Sequence, residues 1–285
     1  MRAMAAPLED IQEIYQTCVN SITNECLRNR LIALENDICM AAADYEQKAK
    51  TKQLYNIPPN SCKNGDIVLG MVTKEELKQV YSDHMVGPTK PARKIYDLLL
   101  SRAPLGKCPF CGFGHARTLD HYLPKTKYPQ LSVVPLNLVP SCRDCNTGKS
   151  TSIATTEETQ SLHPYFDQEK FINEQWLFAK IIHTAPIVIQ FYVDAPVNWD
   201  STSRKRVLSH FDDFKLASRY SIEASTELSF LRNLLSNIQP LGTEPVKDLL
   251  NSMAKTHSDE HRNSWKTAMY QMISASTWYC SGGFQ

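Results

Sequence analysis

No stretch of this 285-residue chain approaches the roughly 20 consecutive apolar residues that a helix needs to span a bilayer, so a helical membrane protein is excluded. The opening segment, MRAMAAPLEDIQEIY, also lacks the apolar core of a secretory signal, and a cytoplasmic location is expected. Internal repeats and low-complexity tracts are missing as well, which excludes solenoid architectures and compositionally biased linkers. There is no P-loop of the form GxxxxGK followed by Ser or Thr, so any ATP dependence has to come from another chain. Net charge is scarce: 31 basic residues against 30 acidic ones leave +1.

What is present begins with enough apolar content, 42%, to bury a substantial core, and a length suited to one large or two modest domains. Apolar residues recur at helical spacing over 7–50 (Ile11, Ile14, Tyr15, Val19, Ile22, Cys26, then Leu31, Leu34, Ile38), predicting one long or two shorter amphipathic helices. Residues 55–70, with Pro58, Pro59, Asn60, Gly65 and Gly70, read as a loop. Thr73-Lys74-Glu75-Glu76 fits a capping box leading into a helix, and Pro91 suits the first turn of another that runs to Ser101. Residues 151–161 are polar and loop-like, whereas Ile187 to Val193 is β-branched and aromatic enough for a strand. Helical spacing returns over 204–236 and 258–276.

The near-zero charge hides a partition. Residues 90–149 hold ten basic against three acidic residues, a local +7, and the remainder carries −6. A positive centre between acidic arms suits a polyanion, because phosphate affinity comes from local Lys and Arg. The nine cysteines are odd in number, and four of them form two CxxC pairs, Cys108 to Cys111 and Cys142 to Cys145, 30 residues apart. Two such knuckles complete the four-thiolate shell of a structural zinc ion, which leaves no open position for water. Cys18, Cys26, Cys39, Cys62 and Cys280 are scattered and are expected to be small buried hydrophobes.

Between the knuckles lie polar residues that a purely structural finger does not need: Asp120-His121 with Pro124 three residues on, Asn137-Leu138, and Asn146 and Lys149 after the last cysteine. Over 43 residues this pattern resembles the HNH endonuclease family. The resemblance implies an α+β fold, mainly helical, with an embedded ββα-metal core stapled by the four-cysteine site. The core would occupy 105–152, between a helical arm over 1–104 and a mainly helical arm with one or two strands over 153–285. It further implies His121 as general base on the attacking water, a task suited to a near-neutral pKa. Asp120 and Asn146 would be oxygen ligands of a catalytic Mg²⁺ or Mn²⁺, and Asn137 would brace the loop and orient His121. Lys125, Lys127, Arg143 and Lys149 are candidate phosphate contacts, with DNA the expected substrate. Because adjacent strand residues point to opposite faces, Asp120 and His121 can serve one site only at a strand end or irregularity.

The chain also looks like the nuclease components of bacterial anti-phage defence systems, Septu-type or retron-linked, in which an ATPase partner would dock on the helical arms. A stand-alone restriction or mobile-element nuclease is the runner-up, and a degenerate zinc-stabilised binding or assembly module the non-enzymatic alternative. A zinc nucleobase deaminase is excluded, because His115-Ala116-Arg117 is not the required H-x-E. His115 is a minor candidate for the zinc shell and His163 for the active site, with a packed or capping role the simpler expectation for His163. His257 and His261 lack the glutamate placement of a zinc-protease helix. Trp265, Trp278 and Tyr279 could stack on bases, although core packing is the simpler expectation.

Overall fold

Capping residues and chain breaks divide the N-terminal periodicity into short helices rather than one or two. In the computed structural model, which describes residues 1–148, 153–167 and 169–285, α1 (Ile11–Asn20) starts where the Asp10 carboxylate accepts from Glu13 N, and α2 (Glu25–Ile32) where the Asn24 side chain accepts from Leu27 N. Helix α3 (Glu35–Lys50) follows. Part of the predicted 55–70 loop is ordered as a hairpin, β1 (Ile67–Leu69) against β2 (Val72–Thr73). The capping box forms as read: Thr73 and Glu76 satisfy each other's backbone at the start of α4 (Lys74–Ser82), and α5 (Arg93–Ser101) begins two residues after Pro91.

Next comes an antiparallel pair, β3 (Thr118–His121) with β4 (Leu138–Ser141), in register from Thr118 opposite Ser141 to His121 opposite Leu138, and then α6 (Arg143–Gly148). All of this belongs to one structural unit, Ala3–Asp167. Its apolar core joins Ile14, Cys18, Leu31, Ile38, Leu77, Val80 and Leu99 from the helices to Leu119, Val133 and Leu138 from the strand region, so the hairpin is built on the helices. The outer edge of β3 is closed by two tyrosines. Tyr81 Oη donates to the Leu119 carbonyl at 3.1 Å and Leu119 N donates to Tyr96 Oη at 3.4 Å, which satisfies groups that an edge strand otherwise leaves bare.

The second unit comprises Met1–Arg2 with Gln168–Gln285. It holds α7 (Lys170–Asn173), the antiparallel pair β5 (Leu177–Ile182) and β6 (Val188–Val193), α8 (Ser201–Asp213), α9 (Leu216–Ile238), α10 (Thr243–Glu260) and α11 (Trp265–Ala275). In β6 the buried Ile189 and Phe191 alternate with exposed Val188, Gln190 and Tyr192, the pattern of a half-buried strand. The helical run expected over 204–236 breaks between α8 and α9 at Lys215, whose φ of 51° is left-handed. The run over 258–276 breaks before Ser264, which N-caps α11. The fold is thus mixed α+β and mostly helical, with small two-stranded sheets. Among the described residues no helix is long and apolar enough to cross a membrane.

Candidate functional site

The two CxxC turns close on each other. The Sγ atoms of Cys108, Cys111, Cys142 and Cys145 are buried and all lie within 4.8 Å of one another, and Cys111 Sγ is 3.8 Å from Cys142 Sγ. Tetrahedral thiolates bound at 2.3 Å are separated by about 3.8 Å, so the donor set fits an ion such as zinc. Backbone amides point at the sulfurs: Gly114 N donates to Cys111 Sγ and Cys145 N to Cys142 Sγ. Glycine is required at 114, because a Cβ there would stand 2.9 Å from both Cβ and Sγ of Cys142. The packed thiols split one another's acidity. Hydrogen bonds from Cys108, Cys111 and Cys145 hold the Cys142 thiol far below its usual range, hydrogen bonding from Cys108 lowers Cys111 to about 7, and Cys145 and Cys108 are pushed up. A bound dication removes that conflict by stabilising all four thiolates.

Between the knuckles, β3 presents two faces. Leu119 and His121 turn toward the helical core, where the His121 ring meets Tyr81 edge-on at 4.4 Å. Thr118 and Asp120 take the other face, where Asn146 Nδ2 of α6 donates to Thr118 Oγ1 at 3.0 Å. The strand is regular, so Asp120 and His121 do point oppositely. His121 is the last residue of β3, and both side chains are buried. His121 Nε2 lies 2.8 Å from the Ser132 carbonyl. Since a carbonyl only accepts, Nε2 carries the proton and Nδ1 keeps the lone pair. Burial lowers the His121 pKa to about 3, partly opposed by the Ser132 bond and assisted by the nearby Lys125 charge, so the ring is neutral at physiological pH but its pKa lies well below the near-neutral value expected of a general base.

Asn137, fully buried, clamps the segment after His121. Its Oδ1 accepts from Leu123 N at 2.7 Å, its Nδ2 donates to the carbonyls of Leu123 and Leu131, and its own carbonyl accepts from Tyr122 N. The cations differ in availability. Arg143 is exposed at the start of α6 and Lys127 is half-buried, whereas Lys125 Nζ is bonded to Ser82 Oγ at 2.8 Å and sits 4.6 Å over the Tyr81 ring, with its pKa lowered by burial. Lys149 lies outside the described residues.

The lesser candidates resolve plainly. His115 is exposed beside Lys107 Nζ at 3.3 Å. His163 is buried, accepts from Tyr165 N at Nδ1, bonds Tyr45 Oη and stacks on Tyr122 at 4.1 Å, a packed and capping role. His257 stacks on Tyr270, and His261 Nε2 bonds the Met1 carbonyl. Trp265 and Tyr279 are buried, while Trp278 is exposed. One expectation needs correcting: Cys18 and Cys280 are buried and Cys39 is half-buried, but Cys26 and Cys62 are exposed, because they lie on the polar face of α2 and in the turn-rich segment before β1. The sequence reading also missed Tyr81, Ser132 and Thr118. No local signal marks them, since their contacts with His121 and Asn146 cross 11 to 40 residues or rest on a backbone carbonyl.

Comparison with known proteins adds one full-length relationship. The chain is 32% identical over 293 aligned positions to protein ea31 of Escherichia phage lambda, covering 97% of this chain and 98% of that protein. Neither a protein-family model nor a solved structure matches the chain.

Proposed function

Because the chain belongs to the family of protein ea31 of Escherichia phage lambda, and because Asp120 and the strand-end His121 on β3, Asn137 before β4 and Asn146 on α6 all lie in the segment stapled by the four cysteines, we propose that it is an HNH-type endonuclease that hydrolyses phosphodiester bonds in DNA. The observation that carries this reading is the fixed neutral His121, with Nε2–H spent on Ser132 and Nδ1 left as a base. In this reading His121 takes a proton from the attacking water at Nδ1, while Tyr81 and the Ser132 carbonyl prevent the ring from turning. The Asn137 clamp on Leu123 keeps the loop beyond His121 in place, a positioning rather than a reacting role. Asp120 and the Asn146 amide oxygen would hold Mg²⁺ or Mn²⁺, to which oxygen donors are suited, and the ion when bound would supply charge neutralisation at the phosphate. The four cysteines would carry zinc as a staple. Lys127, Arg143 and Lys149 would contact flanking phosphates.

The test compares wild type with His121→Ala on plasmid DNA in Mg²⁺ and in Mn²⁺, once both are known to fold and to carry one zinc per chain. Cleavage by wild type alone, with a loss of at least about 10²-fold in the variant, is the expected result. Equal cutting by both would remove His121 as the base.

A second question is what the nuclease serves. The resemblance to defence-system effectors makes control by an ATPase partner one reading, and a full-length relative encoded by a phage favours the reading as a mobile-element nuclease that acts alone. Purification decides between them: the solitary enzyme cuts freely at physiological salt, whereas the effector is silent until its partner is added.

A further inference from the structure

We propose that the turn before the first knuckle is a wedge that inserts Leu105 into the base stack of duplex DNA, while Lys107 and Arg117 hold the neighbouring phosphates. The inference rests on the nucleic-acid reading above and deepens it by assigning part of the substrate contact.

Pro104–Lys107 is a β-turn closed by Lys107 N donating to the Pro104 carbonyl at 2.8 Å. Its two central residues both have positive φ, Leu105 at 53° and Gly106 at 68°, the signature of a type I′ turn. That turn favours Asn-Gly, since Asn tolerates the left-handed region far better than a γ-branched apolar residue. Glycine stands where the rule wants it, but leucine stands where asparagine belongs. Side-chain packing does not offset the strain, for Leu105 is 76% exposed. A strained backbone holding a large apolar side chain out into water indicates a use in binding.

The surroundings identify the partner. From Leu98 to Leu119 the chain carries no Asp or Glu, and it presents Lys107, exposed His115 and exposed Arg117. Lys107 and His115 are bridged across the base of the turn, and Ala116 N donates to the Gly106 carbonyl, so the backbone that carries Lys107 and Arg117 is fixed relative to Leu105. Arg102, in the same segment, is paired with Glu9. An apolar tip among cations complements a polyanion whose interior is apolar, which is how leucine wedges unstack and kink duplex DNA. The location also suits this role: Arg117 N is bonded to the Ser141 carbonyl, and Asp120 follows three residues on, about 10 Å along the strand. A kink made at Leu105 would open the duplex beside the segment that leads through Arg117 into the candidate catalytic strand.

The substitution that tests this is Leu105→Asn, which removes the wedge and gives the turn its preferred residue. Full-length protein carrying His121→Ala, so that substrate survives, is titrated without Mg²⁺ against a duplex containing 2-aminopurine, with single-stranded DNA in parallel. The expected result is roughly tenfold weaker duplex binding, loss of the 2-aminopurine unstacking signal, and a Tm raised by about 2–4 °C from relief of turn strain. If the parent binds duplex and Leu105→Asn binds it equally well with the same signal, the wedge is overturned and the nucleic-acid reading survives. If the parent prefers single-stranded DNA, the duplex wedge also fails. If the parent binds no DNA at all, both proposals fall.

Discussion

Single residues in this chain are constrained by what burial allows them to do. Asn137 has no exposed surface, and its amide makes three hydrogen bonds to backbone groups of Leu123 and Leu131. No apolar side chain can satisfy those groups. Asn137→Ala should therefore cost about 2–4 kcal/mol of stability, since buried partners lose their bonds without gaining water, and urea unfolding measures it directly. His261 gives the pH counterpart. Burial, then the charges of the Met1 amino group and Arg2, hold its pKa well below the usual value, and among the described residues its buried Nδ1 has no hydrogen-bond partner. Protonation thus favours the unfolded chain, where the histidine titrates near about 6.5. The stabilising effect of the neutral ring is complete above that pH and declines as the pH falls toward the depressed folded value. Urea midpoints at pH 7.5 and pH 5 should drop for wild type, and His261→Gln should flatten the decline.

At the scale of elements, what the sequence disclosed depended on how local the cause was. The capping box of α4 was readable because Thr73 and Glu76 satisfy each other within one turn, and the cysteine knuckles because two residues of spacing dictate their geometry. Strand β5 was not readable, since Leu177–Ile182 is recognisable only through its pairing with β6. The break at Lys215 depends on a left-handed backbone for which lysine gives no warning. Around the candidate site the residue types were legible, but their supports were not: Tyr81 reaches β3 from 38 residues away. The knuckles make a prediction of their own. Gly114→Ala should weaken metal retention by about tenfold, because the added Cβ meets Cys142 Cβ and Sγ at 2.9 Å. Thiol titration reads this out. In the native protein the exposed Cys26 and Cys62 should react at once, and the four cluster thiols only after a chelator is added. In Gly114→Ala the cluster thiols should react at a lower chelator concentration, whereas an unchanged profile would mean that the turn relaxes around the new methyl.

For the whole molecule, the governing fact is that charge of both signs is nearly balanced while its placement is not. If the chain engages DNA as proposed, the +7 of residues 90–149 has to compete with the −6 elsewhere, so long-range attraction should be weak and contact-range attraction strong. Salt separates these two contributions. Each phosphate neutralised contributes about −0.9 to the slope of log affinity against log salt, so engagement of Lys127, Arg143 and Lys149 together with the Lys107 and Arg117 pair predicts a slope of about −4.5 for duplex binding. Removing one contact, as in Arg143→Ala, should make the slope shallower by about 0.9 and weaken binding to all sequences alike. A slope near zero would mean that the basic segment does not meet phosphate. A slope that Arg143→Ala leaves unchanged would remove α6 from the interface, and the cations before β3 would then have to carry the contact.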